Sequence, residues 1–339
     1  MLTAIYTVLV FCIIIAIHEF GHFFAAKLCG VTVHEFSIGM GPKVAGFSKN
    51  GTDYSIRILP FGGFVKLEGE DGESDDPNAF GNKSAWRRLL ILAAGAFMNL
   101  LLGFVIFIVI FCFSKGFSSN IVGTVISGSA FEDAGVEDGD RIVYMEGKHY
   151  RTSVKDYNDI NYFIYKNGGN SATITFKIGN DTVKKTITPK YVESEKRTMF
   201  GFAPEVLKPS PLRVVGSAYR MSIFVVKVVI SSFVDLIKGA VSMSEMSGPV
   251  GIVNEIGTAA KSGLRDVLYL AALISINLGV FNLFPIPALD GGRILFVLIE
   301  LVRRKPVNRE REGLIHLVGF ALLLALMAVI TYADIRKLL

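Results

Sequence analysis

Apolar residues gather along this chain into runs long enough for a bilayer, separated by stretches in which they alternate with polar ones. Spanning the hydrocarbon core as a helix takes roughly 20 mostly apolar residues. Leu2–Phe24, Leu89–Phe113 and Leu314–Tyr332 meet that length, and Val267–Leu289 meets it with interruptions at Asn277, Asn282, Pro285 and Pro287. A fifth run, Val214–Ile237, carries Arg220, Lys227 and Asp235. That pattern predicts an amphipathic helix lying in the interface.

Between the first two runs the period changes. The stretches "FSIGMGPKVAGF" (36–47) and "YSIRILPFGGFVKLEG" (54–69) are too apolar for free loops and too short to span. The second alternates and predicts a hairpin turning at Pro60–Gly63. Irregular backbone sits at membrane depth only where protein or a water-filled cavity surrounds it. Residues 36–67 are therefore expected to form a re-entrant β element packed on the helices, a small cytosolic hairpin being the alternative. The acidic run 68–78 reads as a solvated loop. From about Asn120 to Pro204, short strand-like runs ("IVGTVI", "SATITFKI") alternate with Gly-rich turns, which predicts a soluble, mostly β domain.

Composition sharpens this picture. Of 339 residues, 51% are hydrophobic and 19% charged, against about 25% charged in ordinary soluble domains. The expected fold is a polytopic α-helical membrane protein of about four spans, with a re-entrant β element and one β-rich domain. The expected divisions are 1–117, 118–205 and 206–339. The net charge of +5 does not call for a nucleic acid, because the basic excess flanks apolar runs: "WRR" (86–88) and "RRKPVNRER" (303–311). Such loops are cytoplasmic, which puts residues 30–85 inside and the β domain outside. Parity then requires 214–237 not to cross. Cys12, Cys29 and Cys112 lack ligand spacing, so no disulfide framework or thiolate site follows. The N-terminal run lacks a basic leader and a small-residue cleavage site, so it reads as a retained span.

One span carries chemistry. "AIHEFGH" (16–22) sets His18, Glu19 and His22 in an apolar helix, where a single charge costs about 2.5–3.5 kcal/mol. On a helix the two imidazoles share a face and can reach one metal ion, with Glu19 beside them to take a proton from water. A tetrahedral site with an open position needs a third protein ligand. Asp290, in "NLFPIPALDGGRILF" (282–296), is the best candidate, since Pro285 and Pro287 break the helix at matching depth; the alternative is that Asp290 only caps the next helix. Asn277 and Asn282 are candidates to hold an extended substrate backbone, or else to pack between helices. His316 is expected to be interfacial or hydrogen-bonded, and Lys27 and Arg293 to anchor span ends among headgroups.

Taken together, the HEFGH span, "FGGFVKL" (61–67), the outer β domain, "SGPVGI" (247–252) and "NLFPIPALDGG" resemble the site-2 proteases. These are intramembrane zinc metalloproteases, and the similarity is to the bacterial regulator-of-sigma-E-protease branch over essentially the whole chain. The resemblance implies one Zn²⁺ on His18, His22 and Asp290, Glu19 as catalytic base, and Asn282 among the substrate contacts. Phe61, Gly62 and Gly63, at the edge of the β element, are expected to join those contacts. It further implies that 120–204 is a PDZ domain, "AFEDAGVEDGDRI" matching that family's turn. The expected substrates are single-pass membrane proteins, anti-sigma factors or signal-peptide remnants, trimmed first outside the inner membrane. Two departures stand out: Ala96 replaces the proline common in A-G-P-x-x-N, and the length leaves room for one PDZ domain rather than two. A metal or proton transporter also places His, Glu and Asp in spans, but the chain has no inverted repeat. A silent PDZ scaffold is disfavoured because all four site residues are present.

Overall fold

The computed structural model describes residues 2–70, 72, 74–193, 196–239, 248–305 and 307–338, leaving aside the side chains of Pro60, Phe61, Arg309 and Leu338. In chain order the elements begin with α1 (Leu2–Leu28), β1 (Val33–Lys49), β2 (Thr52–Leu67) and α2 (Ala85–Cys112). Next come β3 (Phe117–Val125), α3 (Ala130–Asp133), β4 (Arg141–Gly147), β5 (Arg151–Ser153), α4 (Tyr157–Asn167), β6 (Ala172–Ile178) and β7 (Asp181–Ile187). After β8 (Lys190–Val192), β9 (Arg197–Met199) and β10 (Phe202–Leu207), the chain is helical: α5 (Pro211–Ile237), α6 (Pro249–Ser262), α7 (Leu264–Asn282), α8 (Asp290–Arg303) and α9 (Arg309–Leu338). Two compact units result, Met1–Ile110 with Ala218–Leu339, and Phe111–Ser217.

In the first unit, α1, α2, α7 and residues Glu310–Lys337 of α9 are long and apolar enough to cross a membrane. Lipid offers no hydrophobic drive between helices, so close packing depends on small residues. A Cβ at Gly21 of α1 would lie 2.9 Å from Gly95 Cα of α2, and one at Gly279 of α7 would lie 2.9 Å from the carbonyl of Ala96. Ser275 Oγ donates to the Asn99 carbonyl at 2.8 Å, so α2 is held between α1 and α7. Asp334 of α9, only 3% exposed, accepts from the amides of Gly248 and Gly251 at 2.9 and 2.8 Å. It caps α6, which accounts for the described part of the SGPVGI motif; Ser247 lies outside the described residues.

Two expectations change in detail. Helix α7 ends at Asn282, seven residues before Leu289, because Pro285 and Pro287 cannot donate and the following chain turns instead. The β hairpin is wider than its sequence pattern predicts: β1 and β2 pair antiparallel from Val33↔Leu67 to Lys49↔Thr52. The turn is Asn50–Gly51, both at positive φ (51° and 74°), the Asn-Gly hairpin signal; Pro60–Gly63 lies within β2. Ser37 stands opposite both Phe64 and Ser55, so the two arms of 54–69 flank β1 instead of pairing with each other. Helix α5 buries one stripe, Val214, Ala218, Met221, Val225 and Val229, the i, i+4, i+7 spacing of the amphipathic helix expected there.

The second unit is β-rich. Its main sheet runs in the order β10-β3-β4-β6-β7, with β5 on β4, over a core that includes Ile142, Phe163, Phe176 and Phe200. Phe131 sits at the centre, 5.1 Å from the Phe202 ring and 5.3 Å from Phe200. Each fully buried side chain of this size stabilises by about 1.5–3 kcal/mol. Ser129 caps α3 by accepting from the Glu132 amide at 3.2 Å.

Candidate metal centre

The helical period of α1 puts His18 and His22 one turn apart, their rings edge to face with centroids 4.8 Å apart. Both rings lean on α2 where it has no side chain. A Cβ at Gly95 would lie 2.8 Å from His18 Cε1 and from His22 Cδ2. Gly21 and Gly95 thus let the two helices approach with two imidazoles wedged beside the crossing.

Asp290 arrives from the other end of the chain as the first residue of α8. The preceding segment folds back tightly: a Cβ at Gly291 would sit 2.5 Å from Leu283 C, and one at Gly292 would sit 2.6 Å from the Ile286 carbonyl oxygen. Ala288 takes φ +75°, a left-handed conformation that costs a non-glycine residue about 1–2 kcal/mol. The chain therefore bends sharply to aim one carboxylate.

That carboxylate closes a triangle. Asp290 Oδ2 is 3.2 Å from His18 Nε2 and 3.3 Å from His22 Nε2, and the two nitrogens are 3.2 Å apart. Asp290 Oδ2 is buried, with no hydrogen-bond partner of acceptable geometry among the described residues. A buried anionic oxygen without a partner is strongly disfavoured, so the arrangement asks for a cation. Tetrahedral zinc with bonds of about 2.0–2.1 Å needs donors about 3.3–3.4 Å apart. Two imidazoles and a carboxylate at this spacing fit it, and these three form the one such cluster of His, Cys, Asp and Glu among the described residues.

The outer nitrogens are arranged to match. An imidazole that offers Nε2 to a metal carries its proton on Nδ1 and donates it. His22 Nδ1 lies 2.9 Å from the Ile91 carbonyl. His18 Nδ1 lies 3.3 Å from the side-chain amide of Asn99, which is fully buried. Amide oxygen and nitrogen interchange by a half-turn, and with Oδ1 inward Asn99 is the acceptor that His18 requires. Gly95 and Asn99 are the glycine and asparagine of the A-G-P-x-x-N pattern noted in the second span; the pattern marks the place but not the task, which only the crossing of α1 with α2 reveals.

Glu19 lines a cavity of about 210 Å³ together with His18, His22, Gly63, Phe64 and Asp290. A Cβ at Gly63 would lie 3.1 Å from Glu19 Cγ, so β2 passes the glutamate with only backbone in between. Gly62 lies on the far side, where its Cβ would meet Met40 at 3.0 Å; the side chain of Phe61 is outside the described residues. Asn282 reaches the triangle, its Nδ2 3.4 Å from His18 Nε2. Asn277 does not share that direction, since five residues of α-helix turn it about 140° away.

Two residues expected among lipid headgroups have partners within the protein. Lys27 donates to Thr52 Oγ1 at 2.7 Å, tying α1 to β2. Arg293 pairs with Glu70. Both line the 210 Å³ cavity and also an adjoining one of about 540 Å³, so this ion pair stands where the two meet. A partner 223 residues away leaves no local signal in the sequence. His316 is hydrogen-bonded, as expected: Ala288 N–H donates to its Nδ1 at 2.8 Å.

Comparison with known proteins agrees with this chemistry. The family described as peptidase family M50 matches residues 6–326. A Clostridium acetobutylicum protein with a provisional zinc-metalloprotease name is 40% identical over 331 residues, covering 97% of this chain and 96% of its own. The regulator of sigma-W protease RasP of Bacillus subtilis is 30% identical, with 99% of each chain covered. The zinc metalloprotease RasP of Bacillus licheniformis is likewise 30% identical, with 99% of each covered.

Proposed function

From membership of peptidase family M50, the site-2 proteases, to which this chain belongs, we propose that His18, His22 and Asp290 hold its zinc and that Glu19 is the catalytic base. The chain is a zinc metalloprotease of the membrane. The observation that carries the residue assignment is the triangle of donors 3.2–3.3 Å apart, whose carboxylate oxygen is buried with no hydrogen bond of acceptable geometry among the described residues.

Bound there, zinc supplies Lewis acidity toward a scissile carbonyl and an attacking water. Glu19 takes the proton of that water and later returns it to the leaving amine. Asn99 and the Ile91 carbonyl hold the two imidazoles in the tautomer that leaves Nε2 free. Asn282, beside the triangle, holds the scissile segment. A transmembrane helix seals its own peptide groups, so the substrate must enter extended. The β1–β2 element, read as re-entrant, offers a strand edge at Gly62–Gly63 for that segment.

The substrates are single-pass membrane proteins, anti-sigma-factor-like proteins or signal-peptide remnants, cut first on the outer side of the inner membrane. The division is 1–117, 118–205 and 206–339, with α5 interfacial. The middle part is a PDZ-like domain outside the membrane, and the centre lies toward the cytoplasmic face. Between α4 and residues 197–202 that domain has a groove of about 520 Å³ lined by Ile160, Ile164, Phe200 and Phe202, suited to a trimmed chain end.

The test is Glu19→Gln in the full chain, with a membrane-embedded substrate truncated on its outer side. Cleavage should fall at least about 10²-fold, the usual worth of a general base, with zinc content unchanged. Cleavage near the wild-type rate would remove Glu19 from the reaction.

A further inference from the structure

We propose that His316, in the last helix, is a positioning residue for Asp290: through the Ala288 amide it locks the turn that aims the carboxylate at the two imidazoles. This rests on the metal-site reading above.

The accounting of backbone donors singles out this contact. Between Leu283 and Leu289 the two prolines have no N–H. Leu283 donates to Val280, Phe284 to Phe281, Ile286 to Phe284 and Leu289 to Ile286, all within the segment or the helix end before it. Ala288 alone donates outward, to His316 Nδ1 of α9 at 2.8 Å. It is also the residue at φ +75°, and a strained backbone conformation persists only where its surroundings hold it. Asp290 follows two residues later. A second contact supports the first: Gly319, one turn beyond His316, would bring a Cβ within 3.0 Å of the Pro287 carbonyl carbon and oxygen. Helix α9 is otherwise sparsely buried, with 6% of its spanning window inside the protein. It nevertheless presses a histidine and a glycine against this one turn.

The ring is specified as well as placed. Because Nδ1 accepts, the proton of the neutral imidazole is on Nε2, which is buried with no hydrogen-bond partner among the described residues. Glu312 Oε1 is 4.0 Å from it, and the Phe296 and His316 ring centroids are 5.6 Å apart. Nothing here reaches the metal triangle directly, so His316 acts through backbone alone.

The experiment measures zinc affinity of the full-length protein in detergent by competition with a chromophoric chelator, and the visible spectrum with Co²⁺ in place of zinc. His316→Ala should weaken zinc about 10-fold or more, the scale for groups that orient ligands, and should alter the Co²⁺ bands. His316→Asn, whose amide oxygen can accept from Ala288, should recover most of the affinity. In an Asp290→Ala background, His316→Ala should cost nothing further. Unchanged affinity in His316→Ala would overturn the proposal. So would a folded His316→Asn protein as weak as His316→Ala, or an equal loss with Asp290 absent, which would mark general destabilisation. If Asp290→Ala alone leaves zinc affinity intact, the metal-site reading itself fails, and the two failures are thereby distinguished.

Discussion

At the scale of residues, the centre depends as much on a missing side chain as on the ones present. Gly95 leaves room for both imidazole rings, and a methyl group there would stand 2.8 Å from an atom of each. Rings wedged at a helix crossing cannot retreat without moving α1 from α2. Gly95→Ala should therefore lower zinc affinity by about 10–100-fold, read by chelator competition, with helix content by circular dichroism little changed. Affinity equal to that of the unaltered protein would show that the packing around the rings is loose. The histidine pair was legible in the sequence because its geometry is local: four residues on a helix fix a shared face. Asp290 was legible because two prolines and two glycines mark a broken span. Gly95 and Asn99 were legible only as members of a motif, since Gly and Asn are ordinary at membrane helix contacts and only the crossing of α1 with α2 gives them a task.

At the scale of elements, the β1–β2 hairpin carries chain past Glu19 and is followed by Glu68, which is held by two hydrogen bonds. Glu68 accepts from Ser74 Oγ and from His34 Nε2, each at 2.5 Å, and these bonds hold its carboxyl below the usual carboxylate range. A carboxyl with a depressed folded-state pKa contributes stability above its unfolded pKa and loses it as pH falls through the folded value. Acidification through the lower carboxylate range should therefore loosen the hold of Glu68 on Ser74 and His34, seen as faster proteolysis just after β2 than within it, and Glu68→Gln should abolish the pH dependence. A loop equally resistant at all pH values would contradict this. The hairpin also shows what a sequence reading misses. Asn50–Gly51 is a strong turn signal, but the Pro60–Gly63 cluster outweighs it when alternation is read in short windows. Only long-range pairing resolves which cluster turns the chain.

At the scale of the molecule, the chain divides into a helical unit that contains all three candidate metal ligands and a β-rich unit, Phe111–Ser217, that contains none of them. If the proposed centre is complete within one unit, the other is free to govern which substrates arrive. Replacing 120–204 by a short flexible linker should leave zinc binding intact and relax the need for a prior outer cut, measured by cleavage of untrimmed against trimmed substrate. Unchanged selectivity would refute the filter role. The number of spans was legible because bilayer thickness fixes run length, and the β unit because its runs are short and evenly punctuated. What joins distant parts of the helical unit was not: the Arg293–Glu70 and Arg88–Glu300 pairs cross more than 200 residues, beyond any local pattern.

The claim beneath all of this is that both ends of the chain share one ion. X-ray absorption at the zinc edge of the purified protein, with and without Asp290→Ala, tests it most directly. Two imidazole nitrogens with oxygen neighbours at about 2.0–2.1 Å and no sulfur shell, losing an oxygen and most of the zinc in Asp290→Ala, is the predicted result. A sulfur ligand at about 2.3 Å, or a spectrum and zinc content untouched by the substitution, would contradict it.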